Sequence, residues 1–175
     1  LSERQLRLQG IEPMVVHTHP GSHAGYYPGA ETMHLKLLFD GVTGKIYGAQ
    51  AVGGAGTDKR IDVLATALHA GLTAPDLADL PLAYAPPYSS AKDPVNMLGY
   101  VAQNVIDGVT HTVQWHEVAG SERVLLDVRE AAEFADGAIP GAINIPLPEL
   151  RERLDELEDP LGGRQRRLGG GVEAG

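Results

Sequence analysis

Two alternating runs, Thr32–Phe39 and Lys45–Val52, flank a turn holding Asp40-Gly41 and Gly44, and this hairpin signal constrains the chain more than any other feature. Strand side chains alternate between faces, so Leu35, Leu37 and Phe39 share one face and Ile46 begins the return strand. A buried face needs a cover, and the next periodic segment supplies one. Within Asp58–Ala70, Ile61, Leu64, Ala65 and Leu68 fall at i, i+3, i+4 and i+7, and Gly71 stands where a helix C-terminal glycine belongs.

Thr73-x-x-Asp76 has the form of a capping box and starts a short second helix. Pro86-Pro87 ends helical structure. Asp93-Pro94 then pairs a capping carboxylate with proline at the first helical position, which predicts a third helix running to Ile106. Val95, Leu98, Ala102, Val105 and Ile106 make its apolar stripe. Pro13–His19 reads as one further strand. The expected fold class is α+β, an antiparallel sheet with helices on one side.

Gly108 opens a linker. Beyond it Arg123–Val128 reads as a short strand, Glu130–Ala135 as a helical turn and Pro148–Leu157 as a charged helix. From Asp159 the sequence is DPLGGRQRRLGGGVEAG, without hydrophobic periodicity, and reads as a disordered tail. The domains expected are therefore 1–110, 111–158 and a tail over 159–175.

The formal charge of −9 is spread without a basic stripe, which argues against a nucleic-acid or anionic-membrane surface. No apolar run reaches the ~18 residues of a membrane span. The first ten residues are charged and polar, unlike a secretory signal. The chain has no cysteine, so it makes no disulfide and no thiolate metal site, which suits a cytoplasmic protein. It opens on Leu1 rather than Met, in keeping with a piece of something longer.

Four clusters carry potential chemistry. His17, His19 and His23 combine an i, i+2 pair on one strand face with a third histidine four residues on, a pattern open to metal binding. Tyr26, Tyr27, Tyr84 and Tyr88 sit in proline-stiffened loops, and a phenol protonated at neutral pH can donate to a developing thiolate. The plainer reading makes them amphipathic interface residues. Ser89, Ser90 and Lys92 precede the third helix, either as a solvated loop or as donors to a phosphate. Lys59-Arg60 sits in the first turn of the Asp58–Ala70 helix, where cations oppose the helix dipole. A partner is expected there: Asp62, Asp58 or an acidic group across an interface.

Taken in order, YYPGA, LLFD, GAQAVG, DKRIDV and AYAPPYSSAKDPVNMLGY resemble the C-terminal dimerisation domain of flavin-dependent coenzyme A-disulfide reductases, of the pyridine nucleotide-disulfide oxidoreductase class. The resemblance covers nearly all of Leu1–Gly108. It implies a homodimer whose parent enzyme passes hydride from NAD(P)H to FAD and reduces coenzyme A disulfide, coenzyme A persulfide or polysulfide. It also implies that one tyrosine of the pair Tyr26 and Tyr27, together with Tyr84, reaches the partner's active site. On the same ground Ser89, Ser90 and Lys92 lie near cofactor phosphates or the flavin edge, and the histidine-rich stretch holds no metal. Gly53–Asp58, GGAGTD, has only a superficial likeness to a nucleotide-binding glycine fingerprint, so the parent binds its nucleotides elsewhere.

LLDVREAAEFADGAIPGAINIP, Leu125–Pro146, resembles the opening half of a rhodanese-like domain, with Ala138 in place of that family's usual histidine. Its cysteine loop has no counterpart here, and without a thiolate this chain alone cannot carry a persulfide. Truncation or a frame shift near Pro160 would account for the tail. The rival reading is a stand-alone module, either a non-catalytic dimerisation unit or a metal binder through His17, His19 and His23.

Overall fold

The computed structural model describes residues 1–118 and 124–157. They form two compact units, one over Leu1–Gln114 and the other beginning at Trp115.

The first unit is built on the expected hairpin. Strands β1 (Met14–Thr18), β2 (His34–Phe39) and β3 (Ile46–Val52) form an antiparallel sheet in that order. Register pairs His17 with Lys36 and Leu37 with Ala49, with an irregularity at Leu38/Phe39 beside the turn. Asp40 makes that turn: its Oδ1 accepts from the amides of Val42 and Thr43 and from the Thr43 hydroxyl. The Thr43 and Val42 bonds, with the Tyr47 hydroxyl donating to Oδ2, hold its carboxyl down at about 2.

Leu35, Leu37, Phe39 and Ile46 point to one face and are buried under helices α2 (Thr57–Ala70) and α3 (Pro94–Ile106). Leu64 and Ala67 of α2 and Val95, Leu98, Ala102 and Val105 of α3 complete this core, whereas Ala65 and Leu68, expected on the covering stripe of α2, are exposed because the helix is turned to bring Ala67 and Arg60 inward. Gly71 takes the left-handed conformation at the end of α2, at φ 76°. The Thr73–Asp76 motif introduces a 3₁₀ helix, Pro75–Asp79, with the Asp76 carboxylate accepting from the Thr73 amide and hydroxyl. Gly99 lets α3 approach it: a Cβ there would stand 2.3 Å from the Ala78 backbone nitrogen.

The expected helices α2 and α3 share one side of the sheet. The other side carries a short helix that was not expected, α1 (Glu3–Leu8), whose Leu6 packs on Val15 and Leu38. Its signal is a capping box, in which Ser2 accepts from the Gln5 amide and Gln5 accepts from the Ser2 amide.

In the second unit, α4 (Trp115–Val118) precedes a parallel pair of two-residue strands, β4 (Leu126–Asp127) and β5 (Ile143–Asn144), joined through α5 (Ala131–Asp136). Pro148–Leu157 differs from the expected charged helix. Turns run to Arg153, and a 3₁₀ turn follows at Leu154–Leu157. Arg153 pairs with Glu149 and Glu156, and Leu150, Leu154 and Leu157 stand at i, i+4 and i+7, but Leu154 is exposed, and packing rather than propensity stabilises a helix this short. The tail expected over 159–175 lies outside the described residues.

Candidate functional site

Two loops, far apart in sequence, meet beside the N-terminal ends of α2 and α3. The first runs from His19 to Met33 and carries Tyr26 and Tyr27. It is pinched at its base, where the Ser22 amide donates to Glu31 O, the Glu31 amide donates to Ser22 Oγ, and Gly21 bridges Thr32. The second runs from Leu80 to Lys92 and carries Tyr84, Tyr88, Ser89 and Ser90. A backbone bond joins them, from the Ala24 amide to Ser89 O at 3.1 Å.

The loops bring the phenols of Tyr26 and Tyr84 to 3.4 Å. Both are exposed, Tyr26 at 77% and Tyr84 at 50%. The hydrogen bond with Tyr84 pushes the Tyr26 phenol above its ordinary value, which already leaves it protonated at neutral pH. Tyr27 turns the other way, its ring meeting that of His23 edge-on at 5.8 Å. Tyr88 is exposed and is held by its amide, which donates to Ala85 O.

Beneath the loops lies a buried ion pair. Arg60, 1% exposed, donates through Nη2 to Asp93 Oδ2 at 2.9 Å and through Nε to Asp93 Oδ1 at 3.3 Å. Its partner within the chain is neither Asp62 nor Asp58. It is a carboxylate 33 residues on that also caps α3, accepting from the Val95 amide. Burial pushes the Asp93 carboxyl up, but the Ser89 hydroxyl, the Val95 amide and the Arg60 guanidinium overrule it and hold it below the usual range. Ser89 is buried, and its hydroxyl donates to Asp93 Oδ2 at 2.6 Å. Ser90 is half-buried. Lys92 is exposed, its ammonium resting 4.9 Å over the Tyr100 ring, a cation–π contact.

A pocket of about 190 Å³ opens beside this network, lined by Ser22, His23, Gly56, Lys59 and Tyr88 among others. Its floor needs glycine, because Gly56 stands at φ 82° and a Cβ there would lie 2.6 Å from Arg60 Nη1. The GGAGTD stretch therefore makes room for the guanidinium, after an antiparallel strand instead of within a parallel βαβ unit.

The histidines do not assemble as the metal reading needs. His19 pairs across the strands with His34, Nδ1 to Nδ1 at 2.7 Å, while His23 faces Tyr27. Among the described residues no group of three or more His, Cys, Asp or Glu side chains is placed to hold a metal ion. His34 becomes visible only once register is known, since its opposition to His19 continues the pairing of His17 with Lys36.

In the second unit Arg129 clasps Asp127, with Nη2 to Oδ2 at 2.6 Å, and also donates to Gly137 O. Asn144 donates to the carbonyls of Asp127 and Arg129. The residues of the Asp127-Val128-Arg129 and Asn144-Ile145-Pro146 stretches thus meet each other. No helix among the described residues is long and apolar enough to cross a membrane.

Comparison with known proteins adds to this picture. Residues 1–94 match the pyridine nucleotide-disulphide oxidoreductase dimerisation domain, and residues 112–166 match the rhodanese-like domain. Coenzyme A disulfide reductase of Staphylococcus haemolyticus is 48% identical over 98 residues, covering 56% of this chain and 22% of that protein. The protein of the same name from Staphylococcus epidermidis is 46% identical over 96 residues, covering 55% and 22%. The chain thus spans about a fifth of the length of these relatives. Among solved structures, reduced CoADR-RHD of Bacillus anthracis is 56% identical with a TM-score of 0.87, covering 90% of this chain and 29% of that one. A NAD-dependent persulfide reductase from A. fulgidus is 41% identical with a TM-score of 0.81, covering 90% and 28%.

Proposed function

The chain belongs to the pyridine nucleotide-disulphide oxidoreductase dimerisation-domain family, and on that premise we propose that it is the dimerisation part of an FAD-dependent NAD(P)H oxidoreductase. Its substrate class is coenzyme A disulfide, coenzyme A persulfide or polysulfide. The unit over 1–110 pairs with a second copy and presents its tyrosines to the partner's reaction centre. The rhodanese-like segment over 111–158 favours a persulfide or polysulfide among the acceptors. The absence of cysteine suits the reducing cytoplasm.

The observation that carries the proposal is the meeting of Tyr26 and Tyr84, two exposed phenols from separate loops at 3.4 Å. When a disulfide is cleaved, one sulfur leaves as a thiolate and gains from a hydrogen-bond donor at that moment. A phenol, protonated at neutral pH, is such a donor. Tyr27, turned toward His23, is the weaker candidate of its pair. Flavin and nicotinamide supply hydride transfer when bound. This chain contributes no glycine fingerprint to hold them, but the exposed Lys92 ammonium and the Ser90 hydroxyl fit an anionic group such as a phosphate. Ser89, its hydroxyl committed to Asp93, supports that loop from below.

The test is a graft of this chain onto the Bacillus anthracis protein in place of its matching C-terminal portion. In that chimera Tyr84→Phe is expected to slow coenzyme A disulfide reduction by about a hundredfold, the lower range for loss of a proton donor, with the flavin spectrum unchanged. An unaltered rate removes the role given to Tyr84.

A further inference from the structure

The two tyrosine loops are held together by very little of their own: one backbone bond, Ala24 to Ser89, and the phenol contact itself. Each instead reports to the same buried cation. Arg60 Nη2 lies 3.0 Å from Ser22 O in the first loop, and 3.3 Å from Tyr88 O and 3.2 Å from Ser89 Oγ in the second. Nη1 donates to Gly56 O at 3.1 Å, anchoring the group to the start of its own helix. Asp93 neutralises the charge and is itself fixed at the start of α3.

We infer that Arg60 is a positioning residue: its guanidinium locks the loop bearing Tyr26 against the loop bearing Tyr84 and so sets the separation of the two phenols.

An ion pair wanted only for stability is poorly spent in a protein interior, because an apolar pair of the same volume often serves as well. What an apolar pair cannot do is bind carbonyls from two loops at once. A planar guanidinium can: while Nε and Nη1 hold Asp93 and Gly56 O, the two N–H groups of Nη2 are shared among Asp93, Ser22 O and the Tyr88–Ser89 corner. The sequence places Arg60 in the first turn of α2, against the helix dipole, a cost that an uncharged residue there would not bear. The geometric part of the inference stands on the contacts above. Its catalytic meaning rests on the reading of Tyr26 and Tyr84 as donors.

The test is Arg60→Lys in the full 175-residue chain, which keeps a charge beside Asp93 but offers one nitrogen where the guanidinium offers three. The chain is expected to stay folded, with β2 and α3 amide signals unmoved. The Ala24 amide is expected to exchange with solvent about tenfold faster or more, the scale of losing one charged hydrogen bond. The Tyr26 phenol is expected to titrate lower, back toward its ordinary value, as its bond to Tyr84 loosens. Unchanged Ala24 exchange together with an unchanged Tyr26 titration overturns the inference. If Arg60→Lys does not fold, the double variant Arg60→Gln/Asp93→Asn is read by the same two signals. In the chimera, Arg60→Lys is expected to lower kcat with coenzyme A disulfide while KM and flavin reduction hold. A Tyr84→Phe chimera of normal rate would sink the donor reading alone, leaving Ala24 exchange to decide the lock.

Discussion

The two units spend their residues differently. The first buries aliphatic side chains from three strands and two long helices, and it surrounds its one buried ion pair with acceptors. In the second, Ile145 and Pro146 are the buried apolar side chains among the described residues, and the contacts named above are polar: Arg129 on Asp127, Asn144 on two carbonyls. The first unit has a core that fixes a polar cluster. The second has the polar cluster with little core beneath it. A motif can thus keep its local geometry, because its members are close in sequence, where the packing that would make it independently stable is sparse.

The sharpest way to break this contrast is to separate the halves. Residues 124–157 alone are expected to show no cooperative urea transition, since their pair of two-residue strands buries too little to offset chain entropy, whereas 1–114 alone should unfold cooperatively. A sigmoidal transition in the isolated second half would refute the contrast.

Next in size is Arg60→Met, which strands the Asp93 carboxylate and is expected to cost the first unit about 3–5 kcal/mol. Circular dichroism in urea would register the loss. Gly99→Ala comes third. It drives a methyl group into the backbone at Leu77–Ala78 and should cost about 1–3 kcal/mol, read as a lower urea midpoint.

Acidification sharpens the comparison further. The Asp93 carboxyl titrates below its unfolded value, so its contribution is complete above about pH 4 and fades as pH falls through the lower folded value. The urea midpoint of the first unit should drop over that window, and Arg60→Met should flatten the slope. The smallest effect is expected from Asp127→Asn. It disturbs an exposed pair in the second unit and should leave the circular dichroism spectrum of the chain unchanged.

The hairpin, α2 and α3 were legible because their signals are local: alternation about Asp40-Gly41, a period of 3.6, Gly71 behind one helix and Asp93-Pro94 ahead of the other. α1 was legible too, in Ser2 and Gln5, but its single buried leucine leaves no periodicity to draw attention to the cap. The site divided along the same line. That Tyr26 and Tyr84 belong together was legible only through family resemblance, since 58 residues separate them. The role of Arg60 was not legible at all. Spacing offers it Asp58 and Asp62, and nothing local says that a carboxylate already engaged as a helix cap would be its counter-ion. The opposition of His19 and His34 was hidden likewise, because register belongs to the sheet and not to either strand.

Asp93 serves the Arg60 guanidinium, the Ser89 hydroxyl and the first turn of α3 with a single carboxylate. Shared in this way, it makes the positions mutually dependent over evolutionary time. A lineage cannot exchange Arg60 for an apolar residue without exposing Asp93 to burial uncompensated, nor neutralise Asp93 without loosening both the loops and the helix, so the effects of the two changes will not add. Drift at either site has to pass through a poorly folded intermediate. The pair should therefore persist or vanish as one heritable unit, even in descendants where the chemistry at the tyrosines has changed.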